Sequence, residues 1–189
     1  MTKTFSFHVT MRILLLVFVA LLVGCDHVTH VVEPDTRPAF VLDPTKPFVI
    51  ELGRGSGLNG LDIVKVDETG TVLFTRFEGR PKPETASLQL SNAELASLVG
   101  LVNTNQLTSM GRTYTDPAIA DGTQWVLWIE QPPSQKSIYF NNAFPSPIVE
   151  FSEGLNTLLH DAGAPDVTWQ VLPEDEALKQ QHELWARIE

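Results

Sequence analysis

Leu61-Asp62-Ile63-Val64-Lys65-Val66-Asp67-Glu68-Thr69-Gly70-Thr71-Val72-Leu73-Phe74-Thr75-Arg76-Phe77 is the stretch that decides the fold. Residues 61–66 alternate apolar and polar side chains, the period of a strand with one buried face. Asp67-Glu68-Thr69-Gly70 supplies turn chemistry, and 71–77 return as the hairpin partner. Upstream, Phe48-Val49-Ile50-Glu51-Leu52 reads as a further strand, joined to the hairpin by the glycine-rich stretch Gly53 to Gly60. Downstream, a polar link with Pro81 and Pro83 leads to Leu88-Gln89-Leu90.

Ser91-Asn92-Ala93-Glu94 is a capping box, in which the Ser91 hydroxyl and the Glu94 carboxylate satisfy each other's backbone N–H groups. Behind it Leu95, Leu98, Val99 and Val102 recur at helical spacing. A loop rich in Thr, Gly, Asp and Pro follows from Thr104 to Thr123. Gln124–Glu130 is apolar on both faces, Pro132-Pro133-Ser134 turns it, and Lys136–Phe140 pairs back. Ser146 is expected to cap a second helix with Pro147 at its first position, where the missing N–H costs nothing. Ile148, Phe151, Leu155, Leu158 and Leu159 line that helix, and Gly163 and Pro165 end it. Val167–Leu172 is a last strand, and Pro173-Glu174-Asp175-Glu176 opens a C-terminal helix with acids suited to its dipole. Leu178, Leu184, Trp185 and Ile188 form its greasy side. Hairpins followed by helices predict an α+β fold: an antiparallel sheet of hairpins with two or three helices packed on one face. The globular domain spans 48–173, and 174–189 is a C-terminal amphipathic helix.

The N-terminus has a different pattern. Lys3 and Arg12 precede an apolar run that ends in Leu22-Val23-Gly24-Cys25. A basic region, a short apolar run and a small residue before a cut are the parts of a secretory signal peptide. A membrane span needs ~20 apolar residues, and Ile13–Gly24 offers twelve between Arg12 and Asp26. A plain signal peptide with Cys25 as a free thiol is the remaining alternative, and Met11 is a second candidate start. The cysteine directly after the small residue resembles the lipobox of the bacterial lipoprotein family. The resemblance implies that residues 1–24 are a signal peptide cut between Gly24 and Cys25. It implies an acylated Cys25 (diacylglyceryl and palmitate-type chains) and a cell-membrane location in the envelope or periplasm. Asp26 after the cysteine implies retention in the inner membrane, as in enteric bacteria.

Residues 25–47 then read as the lipidated cysteine and a tether. Pro34, Pro38, Pro44 and Pro47 favour extended chain at ~3.1 Å per residue, enough for a reach of ~70 Å. The chain carries a formal charge of −10, and both basic residues of the signal would be lost with no acidic one. So acidic a surface argues against nucleic acid as a partner, because that affinity comes from Lys and Arg on phosphates. It also leaves anchoring to the acyl chains. Cys25 is the only cysteine, so no intrachain disulfide can form. The fold must stand on its apolar core.

Few motifs carry chemistry. Gly55-Ser56-Gly57-Leu58-Asn59-Gly60 matches G-x-G-x-x-G, but a dinucleotide site needs a helix opening there, and 61–66 alternate as a strand. No nucleotide, cofactor or metal is expected. Ser56 lacks the glycine two residues before it that a nucleophile elbow requires, so no catalytic residue is assigned. His160 and His182 are the general bases inside the domain, and His27 and His30 have a metal-pair spacing with no third ligand. Asp116 and Asp121 offer oxygen ligands from the 104–123 loop, without EF-hand spacing. Trp125, Trp128, Tyr139 and Phe140 concentrate aromatic area in one hairpin, and Trp and Tyr are enriched at binding hot spots. Trp125, Trp128, Tyr139, Asp116 and Asp121 are therefore the candidate binding residues.

Asp67-Glu68-Thr69-Gly70-Thr71, the capped helix after Leu90-Ser91 and the later Asp-rich loop also resemble an uncharacterised domain family of small exported bacterial proteins. Such domains often carry cysteines in the first loop, where this chain has glycines, so a redox role is unsupported. The expected function is a lipid-anchored, non-enzymatic binding or interaction domain of the cell envelope, with an envelope protein or small ligand as partner. The alternative is an envelope hydrolase with an unrecognised Asp/His site.

Overall fold

The computed structural model describes residues 30–56, 60–77 and 80–188. Gly24, Cys25, Asp26 and His27 lie outside the described residues. The strands are β1 (Val31–Glu33), β2 (Val49–Ser56), β3 (Gly60–Asp67), β4 (Thr71–Arg76), β5 (Glu84–Gln89), β6 (Thr113–Thr115), β7 (Thr123–Gln131), β8 (Ser134–Asn141) and β9 (Gln170–Val171). The helices are α1 (Asn92–Thr104), α2 (Ser146–Asp161) and α3 (Glu174–Ala186). The strands form one nine-stranded sheet in the order β1-β6-β8-β7-β2-β3-β4-β5-β9. All pairings are antiparallel except β6 with β8. The fold is α+β, as the hairpin pattern predicts.

Strand alternation sorts side chains between two layers. Ile50, Leu52, Val66, Val72, Phe74, Leu127, Ile129, Ile138 and Phe140 point to one face, where Leu98, Val102, Phe151 and Leu155 of α1 and α2 complete the main core. Leu61, Ile63 and Val126 point to the other face and meet Leu184 of α3. Two helices thus share a face, and the C-terminal helix covers the opposite one. Gly53 makes this docking feasible, since a Cβ there would sit 2.6 Å from Leu184 Cδ2. Leu178, expected on the greasy side of α3, is exposed; Ala177, Gln181 and Leu184 are the buried positions. Gln181 clamps the backbone of Leu61, donating to its carbonyl at 2.7 Å and accepting from its N–H at 3.3 Å.

The capping box forms as read: Glu94 Oε2 accepts from the Ser91 N–H at 2.7 Å, and Ser91 Oγ from the Glu94 N–H at 3.3 Å. At α2 the cap shifts by one residue. Pro145 holds the extended cap conformation, its carbonyl accepts from the Ile148 N–H at 3.1 Å, and Ser146 is the first helical residue.

The tether reading needs correction from Val31 onward. β1 pairs with β6 at the sheet edge, and Leu42 is 1% exposed in the main core. The Asn103 side chain grips Leu42, accepting from its N–H and donating to its carbonyl, both at 2.9 Å. Gln131 grips Asp43 in the same way, at 3.0 and 2.9 Å. The prolines do not free this segment; side-chain amides take up the backbone groups that no ladder reaches. Boundaries at 47/48 and 173/174 therefore separate no structural units.

Beneath the same segment, Lys136 is 2% exposed. Its Nζ lies 2.9 Å from Asp35 Oδ2, and it also donates to the Met110 carbonyl. Asp35 is held on its other side by Arg37, at 2.8 Å.

Candidate functional site

β2 ends in Arg54-Gly55-Ser56, and its α1/α2 face continues from Ile50 and Leu52 through Arg54 to Ser56. The apolar layer therefore gives way to a guanidinium and a hydroxyl at this end of the sheet. Across the β2–β3 ladder Arg54 lies opposite Asp62, and across the β2–β7 ladder opposite Trp125. Arg76 on β4 lies opposite Glu84 on β5. The row reads Trp125, Arg54, Asp62, Arg76, Glu84, with charges alternating along it. Such opposite-charge neighbours across strands are mutually favourable.

Each member of the row is fixed. Arg54 Nη1 donates to Ser152 Oγ of α2 at 2.8 Å, with the Trp125 ring centroid 6.0 Å from its guanidinium carbon. Asp62 Oδ1 accepts from the Phe77 N–H at 2.7 Å. Arg76 bonds Glu84 at 2.9 Å through Nε and stacks on Trp169, 3.6 Å from the ring centroid. Burial pulls the Arg54 guanidinium below its ordinary pKa, with Asp62 opposing that shift. Among the described residues no carboxylate lies within ion-pair distance of Arg54. Beside it, Ser56 Oγ is buried with no hydrogen-bond partner among the described residues. Buried polar groups without partners are uncommon, and each invites a ligand or a water.

Two cavities adjoin at Arg54 and Asp62. One, of about 390 Å³, runs beneath α2 between Val64, Phe74, Leu159, Pro165 and Trp169, and is mostly carbon-lined. The other, of about 320 Å³, is lined by Arg54, Gly55, Ser56, Asp62, Thr123 and Trp125 and is more polar. Both volumes fall in the range of small-molecule sites, roughly 300–1,000 Å³.

The structure divides the five expected binding residues. Trp125 lines the polar cavity, half-buried against Phe144 at 4.6 Å between rings. Trp128 is buried on the opposite face beneath Arg187, its Nε1 without a hydrogen-bond partner among the described residues. Tyr139 lies on that opposite face too, 5.9 Å from Trp185, with its phenol pKa raised by burial. Asp116 is 7% exposed and accepts from the Ala118 N–H at 2.9 Å, so its carboxylate closes its own turn. Asp121 is exposed in the same loop. Among the described residues no three His, Cys, Asp or Glu side chains converge as a metal site would require. His160 stands at the rim of the larger cavity, 3.4 Å from Asp161, with both side chains 74% exposed.

Arg54, Ser56, Asp62 and Trp169 are the site residues that sequence reading misses. The usable signal was parity: Arg54 shares its face with Ile50 and Leu52, an inward-facing charge where a leucine would be expected. A scan against protein-family models gives no match, and neither does a search of curated proteins.

Proposed function

We propose that this protein is a lipid-anchored lipoprotein of the bacterial cell envelope, held by Cys25, whose domain is a non-enzymatic binding module. The motif Leu22-Val23-Gly24-Cys25 supports the anchor, and Asp26 supports retention in the inner membrane. The binding reading rests on one observation: a half-buried guanidinium, Arg54, and the Ser56 hydroxyl, which has no hydrogen-bond partner among the described residues, meet at adjoining cavities. Its occupant is a small ligand or the side chain of an envelope protein. Nucleic acid and nucleotides are poor candidates for a chain of charge −10.

The hydrolase alternative has one point in its favour, that Asp62 and His160 line the same cavity. Against it, a general base works from a position held by an orienting partner, and the polar partner of the exposed His160 among the described residues is the equally exposed Asp161.

Two measurements in intact cells test the proposal. Cys25→Ser should abolish fatty-acid labelling and release the domain from membranes; membrane association that survives the change removes the anchor. A photoreactive residue at Asn156, on the cavity rim, should give adducts that the same residue at Lys46 does not. Equal or absent adducts at the two positions remove the binding reading.

A further inference from the structure

We infer that the cleft takes an apolar carboxylate, its acid group on Arg54 and Ser56 and its hydrocarbon in the lobe beneath α2. This rests on the binding reading above and gives it a ligand class. The acid group follows from Arg54. Its guanidinium has five N–H donors in a planar fork, and one donates to Ser152 Oγ. The fork matches a carboxylate in two-point geometry, and Ser56 Oγ, buried and without a hydrogen-bond partner among the described residues, adds a hydroxyl donor from the same wall.

Charge separates a carboxylate from a phosphate. Asp62 faces Arg54 across the ladder and lines both lobes, and Arg76 is matched by Glu84. The field at the cleft is therefore that of about one cation offset by a neighbouring anion. A monoanion fits it, whereas a dianion would meet Asp62 at close range and lose far more hydration on entry.

The hydrocarbon follows from the larger lobe. Val64, Phe74, Leu159, Ala164, Pro165 and the ring of Trp169 present carbon to it. Trp169 is kept in place by Arg76 above one face and by Phe74, whose ring centroid lies 6.1 Å away. Apolar walls with a few placed polar groups are the common composition of small-molecule sites. A hexanoate-sized acid fills about 390 Å³ with room to spare, so longer acyl or aryl acids also fit.

The test uses the full chain and sodium hexanoate, with 1-hexanol and inorganic phosphate as comparisons. Millimolar hexanoate should raise the melting temperature by several degrees, since a ligand that binds only the folded state stabilises it. Hexanol and phosphate should not. The rise should vanish in Arg54→Met and shrink in Ser56→Ala. If Arg54→Met does not fold, the carboxyl resonance of ¹³C-hexanoate decides, by broadening with the wild-type chain and broadening less with Ser56→Ala. No rise with hexanoate, an equal rise with hexanol or phosphate, or a rise that persists in Arg54→Met overturns the inference. Adducts at Asn156 would survive such a failure, so the ligand class and the binding reading fail separately.

Discussion

Arg54 on β2 and Ser152 on α2, 98 positions apart, are joined by a hydrogen bond of 2.8 Å from the guanidinium to the hydroxyl. This bond ties the charged end of the sheet to the helix that roofs the cleft. Ser152 is itself 3% exposed, so it does not belong to a solvated surface. It helps fix the direction of the guanidinium of Arg54, a residue that lines both cavities.

Ser152→Ala should therefore cost more than a surface serine. Removing one partner of a buried charged hydrogen bond typically costs about 1–3 kcal/mol. Urea unfolding should show that loss, and Arg54→Met/Ser152→Ala together should cost less than the sum of the two singles. Additive losses would mean the bond contributes nothing of its own.

The segment before β2 leads to a second expectation. Leu42→Ala removes a side chain that is 1% exposed in the main core, a class of change that costs about 2–5 kcal/mol. A fragment of residues 48–189 should melt well below one of residues 30–189, because it lacks Leu42 and the strand paired with β6. Equal melting temperatures would restore the free-tether reading.

How far the fold was legible depends on pattern length. The hairpin 61–77 alternates over two full strands, and Gln124–Glu130 is a long apolar run, so both could be read directly. β1 and β6 have three residues each, too few for a period to show. Prolines and polar residues across 25–47 mark loop in the sequence, while Asn103 and Gln131, which hold Leu42 and Asp43, lie far off along the chain. The two tryptophans of β7 carry a lesson about parity. Trp125 and Trp128 are three apart in a strand, which places them on opposite faces, so they could never serve one site. Arg54 was illegible for another reason. A charge among glycines reads as loop, and only register sets it between Asp62 and Trp125.

Acid should weaken the fold in part through Asp35. Hydrogen bonds from Arg37, and then Lys136, hold its carboxyl well below the usual carboxylate range against the opposing effect of burial. A depressed carboxylate pKa contributes stability that is fully present above the unfolded value, about 4, and is lost as pH falls toward the folded one. Asp35→Asn should destabilise the protein at neutral pH, leaving Lys136 buried without its counter-ion. It should also flatten the fall of stability below about pH 4. Chemical denaturation from pH 7 down to acid measures both; an unchanged acid slope in Asp35→Asn would assign that slope to other carboxylates.

The last expectation concerns Gly53, where the docking of α3 depends on a missing side chain. A Cβ at this position would lie 2.6 Å from Leu184 Cδ2 and 3.0 Å from Leu61 Cδ1. Both leucines are fully buried, so neither can swing into solvent, and relief requires α3 to lift. Gly53→Val should then destabilise by about 1–3 kcal/mol, the usual cost of overpacking. The lifted helix should also loosen Gln181 from Leu61 and Arg187 from Glu51, so hydrogen exchange should rise along residues 174–186. Leu184→Ala alone should destabilise too, by leaving a cavity. Combined with Gly53→Val, it should recover part of the loss, since the valine methyls enter the space that Leu184 vacates. A double variant as unstable as the sum of the two singles would show that Gly53 serves the strand's own conformation and not the approach of the helix.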